Sequence, residues 1–119
     1  MRIYRTYRAH CARHIPTLDD NHICKQMHGH TFNIVVYLEG PIDATTGFVM
    51  DFFDLDIIVE KEIIEKIDHK VLNDIKGLEN PSSEYLAVYV FDRLKDKVEY
   101  LSKVSVSEDH GTGIEYSGK

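Results

Sequence analysis

The segment HGHTFNIVVYLE, residues 28–39, predicts a β-strand with one buried face and sets the arrangement of the rest of the chain. Successive side chains of a β-strand point to opposite sides, so every second residue of this segment shares one face. That face carries His28, His30, Phe32, Ile34, Val36 and Leu38. We therefore expect two imidazoles, followed by a row of core residues, on the inner side of a sheet.

The N-terminal segment predicts the partner of this strand. Residues 2–14 mix β-forming and basic residues in rough alternation, which indicates a strand that pairs antiparallel with residues 28–39. The connection IPTLDDNHICKQM, residues 15–27, is polar and too long for a tight hairpin turn. Connections of this kind are typical of binding loops.

The remaining residues predict two helices and a second hairpin. A short strand is expected at VMDF, residues 49–52, and apolar residues spaced three or four apart over residues 55–67 predict an amphipathic helix. A second helix is expected to begin at Asn80-Pro81, with Asn80 as its cap. The tail, with KVSVSE at residues 103–108 and IEY at residues 114–116, predicts the hairpin.

The order of elements β-β-α-α-β-β predicts an α+β fold in which two helices cover one face of an antiparallel β-sheet. With 119 residues, the chain has the size of a single domain, residues 1–119. The two edge strands of such a sheet need protection, and association of several copies through these edges is one solution.

Composition and charge exclude several classes of function. The chain has no apolar run of the roughly 20 residues that a membrane span needs, so we expect no membrane partner. The basic N-terminus lacks the apolar block of a signal peptide, which predicts a reducing, cytoplasmic environment for Cys11 and Cys24. The net charge of −6 argues against a nucleic-acid partner.

The charge is unevenly distributed, because residues 1–25 carry a net +3 and the remainder −9. This pattern fits either a small anionic ligand near the N-terminal segment or arginines that discourage aggregation at a strand edge. Charge alone does not separate the two interpretations.

His28 and His30 form the core of a predicted metal site. Residues i and i+2 of a strand lie on one side about 6.5 to 7 Å apart, close enough for two imidazoles to bind one ion. His14, at the end of the preceding strand, is the expected third ligand. Three histidines leave a fourth position open, as in catalytic zinc sites. If Cys24 were a fourth ligand, the site would be closed and structural.

Five motifs in order resemble the 6-pyruvoyl-tetrahydropterin synthase family, from about residue 3 to residue 118. They are ARH at residues 12–14, CKQMHGH at 24–30, Asp68-His69, GLENPSSE at 77–84 and Glu108. The spacing between the cysteine and the HGH unit is similar to that of the queuosine-pathway branch. The resemblance implies the tetrahydropterin-synthase-like T-fold, in which sheets from several subunits join in a barrel.

The resemblance also implies roles for individual residues. His14, His28 and His30 would bind Zn²⁺, and Cys24 would be catalytic rather than a ligand. Asp68 and His69 would form a proton-transfer dyad. Glu108 would accept hydrogen bonds from the N–H and NH₂ groups of a pterin, since a carboxylate matches two parallel donors. The pterin pocket would also be lined by Ser82, Ser83 and Glu84, for which simple helix capping is the alternative.

The implied function is that of a zinc-dependent lyase of queuosine biosynthesis. Its substrate would be 7,8-dihydroneopterin triphosphate, and its products 6-carboxy-5,6,7,8-tetrahydropterin, acetaldehyde and triphosphate. The implied assembly is a homo-oligomer, a hexamer built as a dimer of trimers.

Two alternatives stay open at this point. One is the pyruvoyl branch, in which the side chain is kept. The other is a non-catalytic zinc-binding module. The roles of His10, His22 and Asp109 are also left open, and Cys11 is expected to be a small buried apolar residue.

Overall fold

The predicted N-terminal hairpin is present in the computed structural model, which describes residues 1–108 and 111–119. Strand β1 spans Arg2–Arg13, and strand β2 spans His28–Glu39. The strands are antiparallel over their full length. The predicted strand at residues 28–39 is confirmed without change, and His14 lies just beyond the end of β1 rather than within it.

Two further strands complete the sheet. Strand β3 spans Leu101–Ser107, and β4 spans Ile114–Tyr116. The order is β1-β2-β3-β4, and every neighbouring pair is antiparallel. The predicted C-terminal hairpin is therefore confirmed. Strands β1 and β4 form the two edges of the sheet.

The first helix begins at Phe52 and follows the predicted apolar pattern. It consists of an α-helical part, Phe52–Val59, a π-helical segment, Glu60–Ile64, and a last turn, Glu65–Ile67. The short strand predicted at residues 49–52 is wrong, because Asp51 accepts a hydrogen bond from the backbone N–H of Phe53 and caps the helix there. A cap at Asp51 ends any extended segment after only two residues.

The second helix spans Ser83–Leu94 and begins two residues later than its predicted cap implied. Ser82, rather than Asn80, is the N-cap, since its hydroxyl accepts a hydrogen bond from the backbone N–H of Tyr85 at 3.1 Å. The amide oxygen of Asn80 instead accepts a hydrogen bond from the hydroxyl of Thr17 at 3.3 Å. Asn80 therefore connects the loop at residues 15–27 to the segment before the helix.

The core lies between the helices and the inner face of the sheet, as the alternation in β2 predicted. Phe32, Ile34, Val36 and Leu38 are fully buried. Cys11 is also buried on this face, and its thiol donates a hydrogen bond to the carbonyl of Ile67 at 3.3 Å. Burial raises the pKa of the Cys11 thiol to about 12, so it stays protonated at neutral pH. The prediction that Cys11 is a buried apolar residue is confirmed.

The segment after the first helix covers the outer edge of β1 near its end. The backbone N–H of His69 donates to the carbonyl of His10 at 2.6 Å, and the N–H of Ala12 donates to the carbonyl of Lys70 at 3.0 Å. These bonds fix Asp68 and His69 beside the last residues of β1. Within the described residues, no helix is long and apolar enough to cross a membrane.

Candidate active site

His28 and His30 begin the inner face of β2 and lie directly beside each other. Their ring centroids are 4.7 Å apart with an interplanar angle of 87°. His30 in turn packs edge-to-face on Phe32, with 5.7 Å between the centroids. The alternation that buries the core residues therefore also directs both imidazoles to the inner side of the sheet, as predicted.

The ring of His28 is held in one tautomer by the backbone. Its Nδ1 lies 2.7 Å from the carbonyl oxygen of Gln26, which can only accept a hydrogen bond. In the neutral ring Nδ1 therefore carries the proton, and Nε2 presents a lone pair. This Nε2 is buried and has no hydrogen-bond partner among the described residues. A ring nitrogen bonded to a backbone carbonyl, with the other nitrogen left bare, is the usual state of a histidine that binds metal.

His14 is clamped through its backbone by Asn73. The amide oxygen of Asn73 accepts a hydrogen bond from the N–H of His14 at 3.0 Å. The amide nitrogen of Asn73 donates to the carbonyl of His14 at 2.8 Å. The Nδ1 atom of His14 is buried without a hydrogen-bond partner in the described part of the chain. The backbone of His14 is thus fixed, while its ring retains an unused nitrogen.

The three histidines suit zinc by their donor chemistry. His14 and His28 each present a buried ring nitrogen that needs a partner, and Zn²⁺ binds neutral imidazole nitrogens. Among residues 1–108 and 111–119, however, no three His, Cys, Asp or Glu side chains stand close enough together to form a complete metal-binding group. The single chain therefore supplies suitable ligand atoms without the finished ligand geometry.

Cys24 lies in a short 3₁₀ turn, Ile23–Lys25, near the end of the loop that joins β1 and β2. His22 caps this turn, since its Nδ1 accepts a hydrogen bond from the backbone N–H of Cys24 at 3.0 Å. Cys24 is partly exposed and lines a cavity of about 240 Å³ together with Ile23, His28, His30 and Glu108. The turn therefore places Cys24 beside the same space as two of the predicted zinc ligands.

Glu108 follows β3 and brings a carboxylate into this cavity. Its Oε1 accepts hydrogen bonds from the hydroxyl of Ser83 at 2.6 Å and from the guanidinium of Arg13. Burial alone would raise the pKa of Glu108, but the bonds from Ser83 and Arg13 and the charge of Arg13 outweigh burial and lower it. Glu108 is therefore an anion at neutral pH and a weak base.

Asp68 and His69 touch each other but lie outside this cavity. Asp68 Oδ2 is 2.9 Å from Nδ1 of His69, and Oδ1 accepts a hydrogen bond from the backbone N–H of His10 at 2.8 Å. That backbone bond is the main cause of the lowered pKa of Asp68. His69 lines a second cavity, of about 500 Å³, which shares His30 with the first. One chain therefore does not bring His69 and Cys24 into the same space.

Comparison with known proteins connects this geometry to a family. The model of the 6-pyruvoyl tetrahydropterin synthase family matches residues 2–119. The chain belongs to this family. One member, the 6-carboxy-5,6,7,8-tetrahydropterin synthase of Synechocystis sp., is 32% identical over 119 residues, which cover 96% of this chain and 91% of that protein.

Other members of the synthase family carry different activity names. The dihydroneopterin monophosphate aldolase of Pyrococcus furiosus is 33% identical, with 76% of this chain and 78% of that protein covered. The solved structure of Caenorhabditis elegans 6-pyruvoyl tetrahydropterin synthase has a TM-score of 0.91 at 25% identity, covering 100% of this chain and 96% of that chain. The relatives are thus pterin enzymes whose named reactions differ. This chain has the same fold as the Caenorhabditis elegans enzyme.

Of the residues that the resemblance to the synthase family places in the pterin pocket, only some lie near Glu108. Ser83 contacts Glu108, whereas Ser82 caps the helix, and Glu84 is exposed and does not line the cavity of Glu108. The side chain of His10 contacts Thr31 at 2.9 Å, on the opposite face of the sheet from His28 and His30. Asp109 lies outside the described residues.

Two residues that contribute to the site were not predicted. Arg13 belongs to the ARH motif and to the basic N-terminal segment, but the sequence assigned it no role of its own, and it is buried against Glu108. The alternation in β1 was the available signal, because Ala9 and Cys11 already indicate that residue 13 points inward. The sequence around Asn73 does not indicate its role, because Asn73 contacts His14, which is far away in the sequence.

Proposed function

We propose that the protein is a zinc-dependent lyase that converts 7,8-dihydroneopterin triphosphate into 6-carboxy-5,6,7,8-tetrahydropterin, acetaldehyde and triphosphate in queuosine (7-deazaguanine) biosynthesis. The observation that carries this proposal is the cavity in which Cys24, His28, His30 and Glu108 meet. A thiol, two imidazoles and a carboxylate around one small cavity suit acid–base chemistry on a heterocyclic ligand. The similarity to the Synechocystis enzyme supports this choice of reaction.

In this proposal His14, His28 and His30 hold Zn²⁺. A zinc ion bound there would act as a Lewis acid that polarises the hydroxyl oxygens of the substrate side chain. The buried, unpartnered nitrogens of His14 and His28 support this assignment. The backbone carbonyl of Gln26 orients His28, and Asn73 orients the main chain at His14.

Cys24 is the proposed base, and Glu108 holds the pterin ring. Cys24 lines the cavity, and as a thiolate it would be able to take a proton from the substrate side chain. Glu108 is a poor candidate for the base, because its lowered pKa makes proton uptake at neutral pH unfavourable. As an anion it is suited to accept hydrogen bonds from the ring N–H and amino groups of a pterin.

Asp68 and His69 complete the proposed proton transfer from a neighbouring copy of the chain. The carboxylate of Asp68 lies 2.9 Å from Nδ1 of His69 and orients the imidazole. Since His69 and Cys24 line separate cavities in one chain, the proposal requires a homo-oligomer, and we propose a dimer of trimers. Sedimentation equilibrium should give six times the chain mass, and a monomer mass would contradict the assembly.

Product analysis tests the reaction. Zinc-loaded protein incubated with 7,8-dihydroneopterin triphosphate should release acetaldehyde and a carboxylated tetrahydropterin, both identified by mass spectrometry. The alternative, favoured by the likeness to the Caenorhabditis elegans structure, is 6-pyruvoyl tetrahydropterin synthase activity. A product that keeps all three side-chain carbons, with no acetaldehyde, would establish that alternative in place of the lyase.

Changing Asn73 to Asp is expected to weaken zinc binding without unfolding the chain. The carboxylate retains an acceptor for the N–H of His14, but it loses the donor to the His14 carbonyl. The second carboxylate oxygen then repels the carbonyl oxygen of His14. Loss of an outer-shell partner typically weakens metal binding by about 10- to 100-fold. Competition with a chromophoric chelator would measure this change. Asn21→Asp, which adds the same charge at an exposed position of the loop, should bind zinc as the wild type does.

A further inference from the structure

Arg13 is a charged residue buried at the inner end of β1. Its side chain is only 4% exposed, and it points to the same side of the sheet as Ala9 and Cys11. Burial of a charge is unfavourable by several kcal/mol unless the charge is paired and hydrogen-bonded. The contacts that compensate this charge therefore indicate what the residue does.

Among residues 1–108 and 111–119, the guanidinium of Arg13 has three compensating contacts. One terminal nitrogen forms an ion pair with Oε1 of Glu108, and the other donates to the carbonyl of Pro81 at 2.9 Å. The guanidinium carbon also lies 5.2 Å from the centroid of the Phe32 ring. The Pro81 and Phe32 contacts fix the guanidinium from two sides, so its position is set by the core and by the start of the second helix.

Both donors to Glu108 use the same carboxylate oxygen. Ser83 and Arg13 each bond to Oε1, whereas Oε2 receives no hydrogen bond from the described residues. Glu108 lines the cavity with Cys24 and the histidines, while Arg13 does not line it. The carboxylate is thus held at one oxygen by buried groups, and its other oxygen remains available to a ligand.

We propose that Arg13 is a positioning residue that locks the Glu108 carboxylate so that Oε2 is presented to the pterin ring. This inference rests on the proposed function, in which Glu108 binds the pterin. A glutamate carboxylate otherwise rotates over a broad range about its last torsion angle, and this freedom would be lost on binding. A carboxylate that is already fixed loses less conformational entropy when the ligand binds. Arg13 can therefore strengthen binding without a direct contact with the ligand.

A double-mutant cycle with a stable pterin tests this inference. The probe is neopterin, whose fluorescence reports binding to the zinc-supplemented protein. Arg13→Met keeps an apolar side chain of similar length and removes the donors, and it should weaken neopterin binding by about 3- to 10-fold, the range expected for ordering one side chain on binding. In a Glu108→Gln background the same change should alter the Kd by less than about twofold, because coupled residues are not additive.

Two further variants separate positioning from a general loss of structure. Arg93→Met removes a second partly buried arginine, which is paired with Glu62 at 3.1 Å and does not line the cavity, and neopterin binding should be unchanged. Arg13→Lys keeps the charge but not the planar fork. It should weaken neopterin binding less than Arg13→Met does. If the Met variant does not fold, Arg13→Lys replaces it in the double-mutant cycle with Glu108→Gln.

The outcomes distinguish this inference from the proposed function. If wild-type protein binds neopterin and Glu108→Gln weakens binding, but folded Arg13 variants bind normally, the role of Arg13 is wrong and the proposed function stands. Effects that simply multiply in the double variant would likewise overturn the inference. If the wild type does not bind neopterin, the assignment of a pterin site fails and the role of Arg13 fails with it.

Discussion

Replacing Cys24 with alanine is expected to lower kcat by about 10²- to 10⁴-fold, the range that a general acid–base group contributes. Cys24 is the residue in its cavity that we assign as the base, and the other acidic group there, Glu108, is tied to Arg13 and Ser83 with a lowered pKa. Since His28 and His30 hold zinc in the proposed function, no other described residue of that cavity is expected to replace the thiol efficiently. Steady-state turnover and metal content, measured on the same preparation, would report both effects.

The metal content of this variant separates the enzyme from a non-catalytic zinc module. As a base, Cys24 is not a ligand, so Cys24→Ala should keep its zinc and its melting temperature. Cys11→Ala is the matched control, because the Cys11 thiol is buried, bonded to Ile67 and protonated. It should leave turnover nearly unchanged. Loss of zinc from Cys24→Ala would instead indicate a closed structural site.

Replacing His28 with alanine is expected to abolish stable zinc binding. His28 offers a buried Nε2 whose availability is set by the bond from Nδ1 to the Gln26 carbonyl, so its removal takes away a ligand that is already oriented. The loss should exceed the roughly 10- to 100-fold expected for an outer-shell partner such as Asn73. Zinc per chain after gel filtration, measured by mass spectrometry, gives the result.

His10 supplies the control for this measurement. It lies on the neighbouring strand, close in sequence to His14, but its ring contacts Thr31 on the other face of the sheet. His10→Ala should therefore retain zinc. Full zinc content in His28→Ala, or loss of zinc in His10→Ala, would show that the ion is held by a different set of residues.

The parts of this structure that follow a period along the chain were predictable. Alternation over residues 28–39 is strong enough to define both ends of β2 and the face that carries the two histidines. Helix starts were less predictable, because Asn80 and Ser82 are both good caps and only packing decides between them. The same limit explains the wrong strand at residues 49–52, where capping by Asp51 prevails over local β-propensity.

The parts of the site that depend on tertiary contacts were not predictable. An arginine in a basic segment normally indicates an exposed residue, and only the position of Glu108 in space makes the burial of Arg13 favourable. Asn73 is similar, because its amide bonds to the backbone of His14 from a separate turn. The motifs supplied the candidate catalytic and metal-binding side chains, whereas the residues that hold those side chains in place required coordinates.

The covering of the β1 edge limits how the sheet can be extended by another chain. His10 uses its outward N–H and carbonyl on Asp68 and His69, and Ala12 uses its outward N–H on Lys70. A strand added along β1 must therefore end before His10, since the polar groups beyond that point are already occupied. Such a strand would terminate next to the His69 ring, so the boundary between two subunits would fall beside the Asp68–His69 pair.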